Sequence, residues 1–361
     1  MRVASLCSGY GGLELGLELA GFDCELIWYS EISRYACAVM EHRHPGIPNL
    51  GDLTQLTGVD LSEVDLVTAG FPCQPVSVSG RQEGIDDERW LVRDVVSVWR
   101  RTGARWLILE NVSGLHWANN GAAFGEVVDT IAKVGATARW AYFRACDVGA
   151  PHIRERWFCV VSREGDAEAA DADFKRLQAS SEWFSVEGPG GGFSAGCGSV
   201  RDTSSGGRDG SPVAGQGEVR EPAGAARGPS SDSGSGRDPA DPDYEADVWF
   251  RRVCQDGHAP HGGDPCGCLR ERLGAYSGAV ALWEDITGAT CPEPIITDKE
   301  FSNGRMSEWF VEWMMGLPTG HVCSLPELSP NQKMEVLGNG VVPQQAAFAI
   351  HQLLAQGGPQ A

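Results

Sequence analysis

Over residues 1–163, short apolar runs alternate with amphipathic stretches, and this alternation sets the tightest limit on what the chain can fold into. Runs at 3–7, 25–29, 64–69, 106–110, 139–144 and 157–161 have the length and composition of buried strands. Between them, 12–20, 33–41, 91–102 and 122–134 carry apolar residues at helical spacing. Strands alternating with helices predict an α/β fold, with a mainly parallel sheet covered by helices on both faces. The last two strands are separated only by a short loop through Gly149 and Pro151, too short for a helical crossover, so that pair is expected to be antiparallel.

The character of the chain changes after this block. From 164 to 247 Ser, Gly, Pro, Ala, Asp and Arg dominate, with pieces such as Gly188-Pro189-Gly190-Gly191-Gly192. Such a stretch buries too little apolar surface to offset its ordering entropy, and it is expected to be a disordered insertion, with one apolar island at Trp183-Phe184-Ser185-Val186. Structure is expected to resume near Val248. Helical spacing returns at 270–285, with Leu273, Tyr276, Val280 and Trp283 on one side, and again at 308–315. A final helix is expected over 344–354, with Pro343 in its first turn. The expected organisation is thus a catalytic and cofactor-binding unit at 1–163, the insertion at 164–247, a smaller region at 248–325, and a C-terminal segment at 326–361.

Composition narrows the class. A chain of 361 residues is long enough for one large core or two smaller ones. The net charge of -20 argues against a broad, non-specific polyanion binder, although a local basic face can still bind nucleic acid. No apolar run has the length of a membrane span, and the N-terminus leads straight into a strand pattern without a secretory core, so a cytoplasmic location is expected. The twelve cysteines are scattered, several of them inside strands, and are expected to be reduced. Cys254, His258, His261, Cys266 and Cys268 form a local cluster, but their spacings do not match the paired ligands of structural zinc modules, and no metal is assigned to them.

The residues with chemistry fall at strand ends. Ser8-Gly9-Tyr10-Gly11-Gly12 follows the first strand and opens a helix, where glycines allow a ligand to approach the backbone. Glu31 ends the second strand, placed to accept hydrogen bonds from ribose hydroxyls, and Asp52 is placed to receive an adenine amino group. In that order the three features favour a nucleoside cofactor over a bare turn. Cys73 lies in Gly70-Phe71-Pro72-Cys73-Gln74-Pro75, on a loop leaving the third strand, with its backbone restricted by prolines on both sides. Glu110 follows the next strand, which puts a carboxylate near a thiol: a nucleophile with a partner that handles protons. Arg154 and Arg156, two apart on an extended segment, are expected to point the same way and to grip a carboxylate or phosphate. On these residues alone, a nucleotide-dependent oxidoreductase with a reactive cysteine remains open, as does a non-catalytic DNA-binding module that keeps the fold.

Together these pieces resemble the cytosine-5 DNA methyltransferases of bacteria and phages. The matching stretches are Ser8 to Gly12, Glu31, Asp52, Gly70 to Ser77, Gly84 with Asp87 to Leu91, Glu110-Asn111-Val112, His152 to Arg156, and Gly338-Asn339-Gly340-Val341-Val342-Pro343. Glu312 to Pro318 also resembles the end of that family's target-recognition region. The resemblance covers 1–163 and about 270–355.

The resemblance implies a Rossmann-like S-adenosylmethionine-dependent methyltransferase fold with a smaller target-recognition domain, acting as a monomer on double-stranded DNA and on no membrane. It implies that S-adenosylmethionine is held by the glycine turn, Glu31, Ile32, Asp52, Leu53, Pro72 and Asn339. It further implies that Cys73 adds to carbon 6 of a flipped-out cytosine while Glu110 holds the ring's N3 and amino group. Arg154 and Arg156 support Glu110, the catalytic loop or a phosphate, and the loop from Ser77 to Trp90, hinged at Gly80 and Gly84, closes on DNA. A related branch of the family methylates RNA, which gives a second reading. Four positions depart from the pattern: Cys7 replaces the usual aromatic residue, His152 a glutamine, Gly340 a serine and Trp90 a glycine.

Overall fold

The computed structural model describes residues 1–56, 58–61, 63–72, 90–163, 277–296 and 304–355, and the backbone of Gly198–Val200. Its centre is one open sheet. Strands β1 (Arg2–Leu6), β2 (Glu25–Ser30), β3 (Leu66–Gly70) and β4 (Trp106–Val112) run parallel, while β6 (Glu155–Arg163) runs antiparallel between β4 and β5 (Ala136–Arg144). The spatial order is β2-β1-β3-β4-β6-β5-β7. The mainly parallel α/β architecture and the antiparallel last pair agree with expectation.

Of the 164–247 segment, the described residues are Gly198–Val200, which form β7 and pair antiparallel with β5. That strand was not anticipated, because three residues within a Gly- and Ser-rich stretch carry no periodicity to detect.

Helices cover both faces. On one, α3 (Val92–Thr102) and α4 (Ala122–Ala132) bury Val95, Val96, Trp99, Val127 and Ile131 against Leu107, Leu109 and Val161 of the sheet. On the other, α1 (Gly12–Leu19) and the last helix pack side by side, burying Leu13, Leu17, Ala346 and Ile350 over Val3, Ile108 and Phe158. The two helices approach closely because Gly16 has no side chain: a Cβ there would lie 2.6 Å from that of Ala346. α2 (Arg34–Arg43) is capped by Ser33.

Further along the chain come α5 (Ser277–Thr287), the two-stranded pairing of β8 (Ile295–Ile296) with β9 (Arg305–Met306), α6 (Glu308–Met314), α7 (Pro330–Asn339) and α8 (Pro343–Ala355). Val280 and Trp283 of α5 are buried, as their spacing implied. α7 escaped the periodicity argument because few of its positions are apolar. Its usable signal was the Ser329 to Gln332 capping box with Pro330 at the first helical position.

A third core joins these elements to the sheet unit. Phe310, Trp313, Trp283, Val322 and Leu337 pack with Tyr10, Val39 and Val148. Polar side chains pin the joint. Buried Glu312 accepts from the backbone N–H groups of Gly320, Val322 and Cys323 at 2.5–2.7 Å. His152 Nε2 donates to Met314 O at 2.9 Å, and His321 Nε2 donates to Tyr10 O at 2.8 Å. Among the described residues no helix is long and apolar enough to cross a membrane.

Burial, above all, pushes both imidazoles down to a pKa of about 4, with neighbouring Arg154 and Arg156, or Arg43, His44 and His42, acting in the same direction. The unfolded chain therefore takes up these protons first. The stability they contribute is complete above about pH 6.5 and is lost as pH falls towards about 4. Urea unfolding followed between pH 7.5 and 4.5 should show a shallower loss for His152→Gln, whose amide can still donate to Met314 O. Parallel curves for the two proteins would refute the assignment.

Candidate active site

The parallel register brings three strand ends together. Leu6 pairs with Ala69, and Gly70 pairs with Glu110, so the glycine turn after β1, the loop after β3 and the carboxylate ending β4 meet at one edge. The chain runs from β1 outward to β2 and then returns to the other side of β1 as β3. That reversal opens the crevice in which an α/β sheet binds its ligand.

The turn itself is strained and open. Gly9 and Gly11 have φ of 56° and 82°, and Cys7 has φ of 51°, which a side chain rarely tolerates. Gly11 caps α1 without a side-chain acceptor, leaving the first turn of the helix open to a ligand. The buried Ser8 Oγ has no partner among the described residues. Burial, with Glu31 and Asp52 nearby, raises the Cys7 thiol far above its usual range, so this cysteine is inert.

The acids expected around a nucleoside lie along the rim. Glu31 accepts from Gly9 N and Ser33 N at 2.9 and 2.7 Å, and from Ile32 N, which ties the end of β2 to the turn. The neighbouring Ile32 side chain is 73 % exposed. Asp52 caps a 3-10 turn begun by buried Leu53, with Oδ1 accepting from Thr54 N and Oγ1.

Glu110 is buried, and Arg156 Nε lies 3.2 Å from its Oε1. Burial raises its carboxyl pKa, while Arg156 and then Arg154 oppose the shift. A Cβ on Gly70 would stand 3.5 Å from Glu110 Oε2, so the end of β3, where the loop begins, lies beside this carboxyl. Asn111 Nδ2 holds that start by donating to Phe71 O at 3.0 Å. Pro72 is the last described residue of the loop. Cys73, the loop to Trp90 with Gly80 and Gly84, and the cluster of Cys254, His258, His261, Cys266 and Cys268 lie outside the described residues.

The expectation that Arg154 and Arg156 share a target is corrected. Arg154 precedes β6 and has φ of 28°, so strand alternation does not apply to it. Its Nη2 donates to Gly338 O and Gly340 O at 2.9 and 2.6 Å, clasping the segment that carries Asn339. Gln345 reinforces the clasp by donating to Arg154 O and Phe143 O.

That C-terminal segment completes the cleft. Asn339, Gly340 and Val341 line it with the glycine turn, Gly70 and Glu110. Tyr10 OH donates to Val341 O at 2.8 Å. Gly340 has φ of -87°, which any residue adopts, but a Cβ there would come within 1.7 Å of the Tyr10 ring. A large residue at 10 and glycine at 340 therefore form one interlocking pair, which explains the departure at 340.

Sequence reasoning missed Glu14, in the first turn of α1. It is 5 % exposed, bonded to Thr68 Oγ1, and lines the same cleft. Its only signal was an acid at an inward position between Leu13 and Leu17.

Comparison with known proteins follows this geometry. A family model described as C-5 cytosine-specific DNA methylase matches residues 1–187. The Type II methyltransferase M.NlaX of Neisseria lactamica is 32% identical over 160 residues, 44% of this chain and 51% of its own. The Type II methyltransferase M.BsuFI of Bacillus subtilis is 34% identical over 172 residues, 47% of this chain and 41% of its own. The chain spans about half the length of the curated relatives it matches. The crystal structure of S. pombe Dnmt2 methyltransferase aligns over 98% of both chains with a TM-score of 0.55 and 15% identity, a likeness of fold.

The interlock generates a test. Gly340→Ser should lower the unfolding free energy by about 1–3 kcal/mol, the usual cost of forcing extra atoms into a packed site. In a Tyr10→Leu background the same change should cost much less, giving a clear coupling in a double-mutant cycle of urea midpoints. Additive effects would show that the two positions do not interlock.

Proposed function

Since the chain belongs to the C-5 cytosine-specific DNA methylase family, we propose that it transfers a methyl group from S-adenosylmethionine to carbon 5 of cytosine in double-stranded DNA. One structural feature supports this reading most strongly. It is the buried Glu110 carboxyl, raised in pKa and steered by Arg156, beside the start of the loop that bears Cys73.

The cleft fits the cofactor. The uncapped first turn of α1 suits a carboxylate. Glu31 keeps acceptor capacity for ribose hydroxyls, exposed Ile32 offers an apolar face to a ring, and Asp52 Oδ2 is open to an amino group. Leu53, Pro72 and Asn339 complete the surround. When bound, S-adenosylmethionine supplies an electrophilic methyl group.

The chain's own residues account for the remaining chemistry. Carbon 5 of an aromatic pyrimidine is a poor nucleophile until addition at carbon 6 breaks the conjugation, and the Cys73 thiolate makes that addition. Burial favours the protonated form of the Glu110 carboxyl, against the pull of Arg156 and Arg154. A neutral carboxyl has one O–H donor and one carbonyl acceptor, the complement of cytosine N3 and its amino group. Donation to N3 withdraws charge from the ring as the sulfur adds. Arg156 Nε, 3.2 Å from Oε1, holds the carboxyl in place. After methyl transfer a base removes the carbon 5 proton and the thiolate leaves, restoring the ring. None of these steps can occur within the stack, so the cytosine must leave the duplex.

Duplex DNA containing 5-fluorocytosine cannot lose its carbon 5 substituent as a proton. With S-adenosylmethionine present it should trap a covalent protein–DNA adduct, visible as a shifted band on a denaturing gel. Cys73→Ser should give no adduct and no methylation, and Glu110→Gln should slow methyl transfer by about 10²-fold or more. A wild-type protein that forms no adduct, or that labels transfer RNA but not DNA, would overturn the proposal.

A further inference from the structure

Glu14 has no role in the chemistry above, yet its position is hard to explain as packing. It stands in the first turn of α1, between Leu13 and Leu17, which face the sheet. One carboxylate oxygen is bonded to Thr68 Oγ1 of β3, and the Ser5 hydroxyl of β1 lies against the same group. The other oxygen, Oε2, is buried and has no hydrogen-bond partner among the described residues. Glu14 lines the cleft with Gly9, Gly12, Gly70, Glu110 and Asn339, and a Cβ at Gly11 would lie 3.8 Å from Oε2. An unpaired buried carboxylate oxygen costs free energy, and a chain that keeps one has it aimed at something that arrives later.

The neighbourhood specifies what arrives. The same turn of α1 lacks a side-chain cap, so its N–H groups attract an anion. A few ångströms away, Glu14 Oε2 attracts a hydrogen-bond donor or a cation. An anion and a cation held that close are the two ends of an α-amino acid. We propose that Glu14 is the binding residue for the α-ammonium group of the cofactor's amino-acid portion, with Thr68 and Ser5 holding it in position. The inference rests on the S-adenosylmethionine reading and deepens it. Desolvation raises the carboxyl pKa, and an ammonium beside the carboxylate favours the charged form.

The test uses binding by the full-length protein, independent of catalysis. The probes are S-adenosylhomocysteine and its analogue lacking only the α-amino group, each titrated calorimetrically. The wild type should bind the complete compound at least about tenfold more tightly than the analogue, as expected for a buried hydrogen bond to a charged group. Glu14→Gln should lose about tenfold or more for the complete compound while binding the analogue within about twofold of wild type. Equal losses for both compounds would mean that Glu14 only supports the fold, and an unchanged affinity for the complete compound would remove it from the site. If Glu14→Gln does not fold, the wild-type ratio decides, and equal affinities for the two compounds overturn the assignment. A wild type that binds neither compound would instead sink the cofactor reading itself.

Discussion

The parallel pairing of β1, β3 and β4 in a single register is the constraint from which the site follows. Parallel strands end on the same edge, and here the edge residues are a glycine turn, a glycine leading into a cysteine-bearing loop, and a glutamate. Side chains at such ends have little freedom, because the ladder hydrogen bonds set their height and the covering helices set their direction. The carboxyl at that edge is buried, and that burial raises its pKa. The arrangement at this edge is thus a consequence of sheet packing.

A second constraint is closure from a distance in sequence. The cleft is built from residues near 10 and near 340, and it exists only if the C-terminal segment returns to the sheet. Three contacts secure the return: Tyr10 OH on Val341 O, Arg154 on the Gly338 and Gly340 carbonyls, and Gly16 against Ala346. Each depends on an unusual local feature: a large residue at 10 facing none at 340, a positive φ at Arg154, and a glycine inside a helix. These features cost local stability, and the buried apolar faces of α1 and α8 offset it. The neutral imidazoles of His152 and His321 belong to the same joint, since each donates to a backbone carbonyl that a charged, hydrated ring could not reach without exposing the core.

How much of this was legible beforehand depended on whether the signal was local. The strands and first helices could be read because each carries its own periodicity. The glycine turn, Glu31, Asp52 and Glu110 could be singled out because turn chemistry and strand ends are written in a few adjacent residues, whereas Asn339 was singled out only by the resemblance. Their order along the chain was sufficient to suggest the family, and the family model and the fold agree with it. α7 was missed because its apolar positions are few, although its capping box was present. Arg154 was misdirected because an alternation rule for extended chain was applied where φ is positive.

The sequence by itself determined the α/β class, the strand order along the chain, and which residue types stand at strand ends, since these follow from short-range pattern and turn chemistry. Only the tertiary structure decided which of those residues meet. It gave Arg156 rather than Arg154 to Glu110, set Gly340 against Tyr10, and left one oxygen of Glu14 buried without a hydrogen-bond partner among the described residues. The physical reason is that burial, unpaired polar atoms and van der Waals collisions are properties of space between segments. Residues more than three hundred positions apart carry no local trace of the partner they will touch.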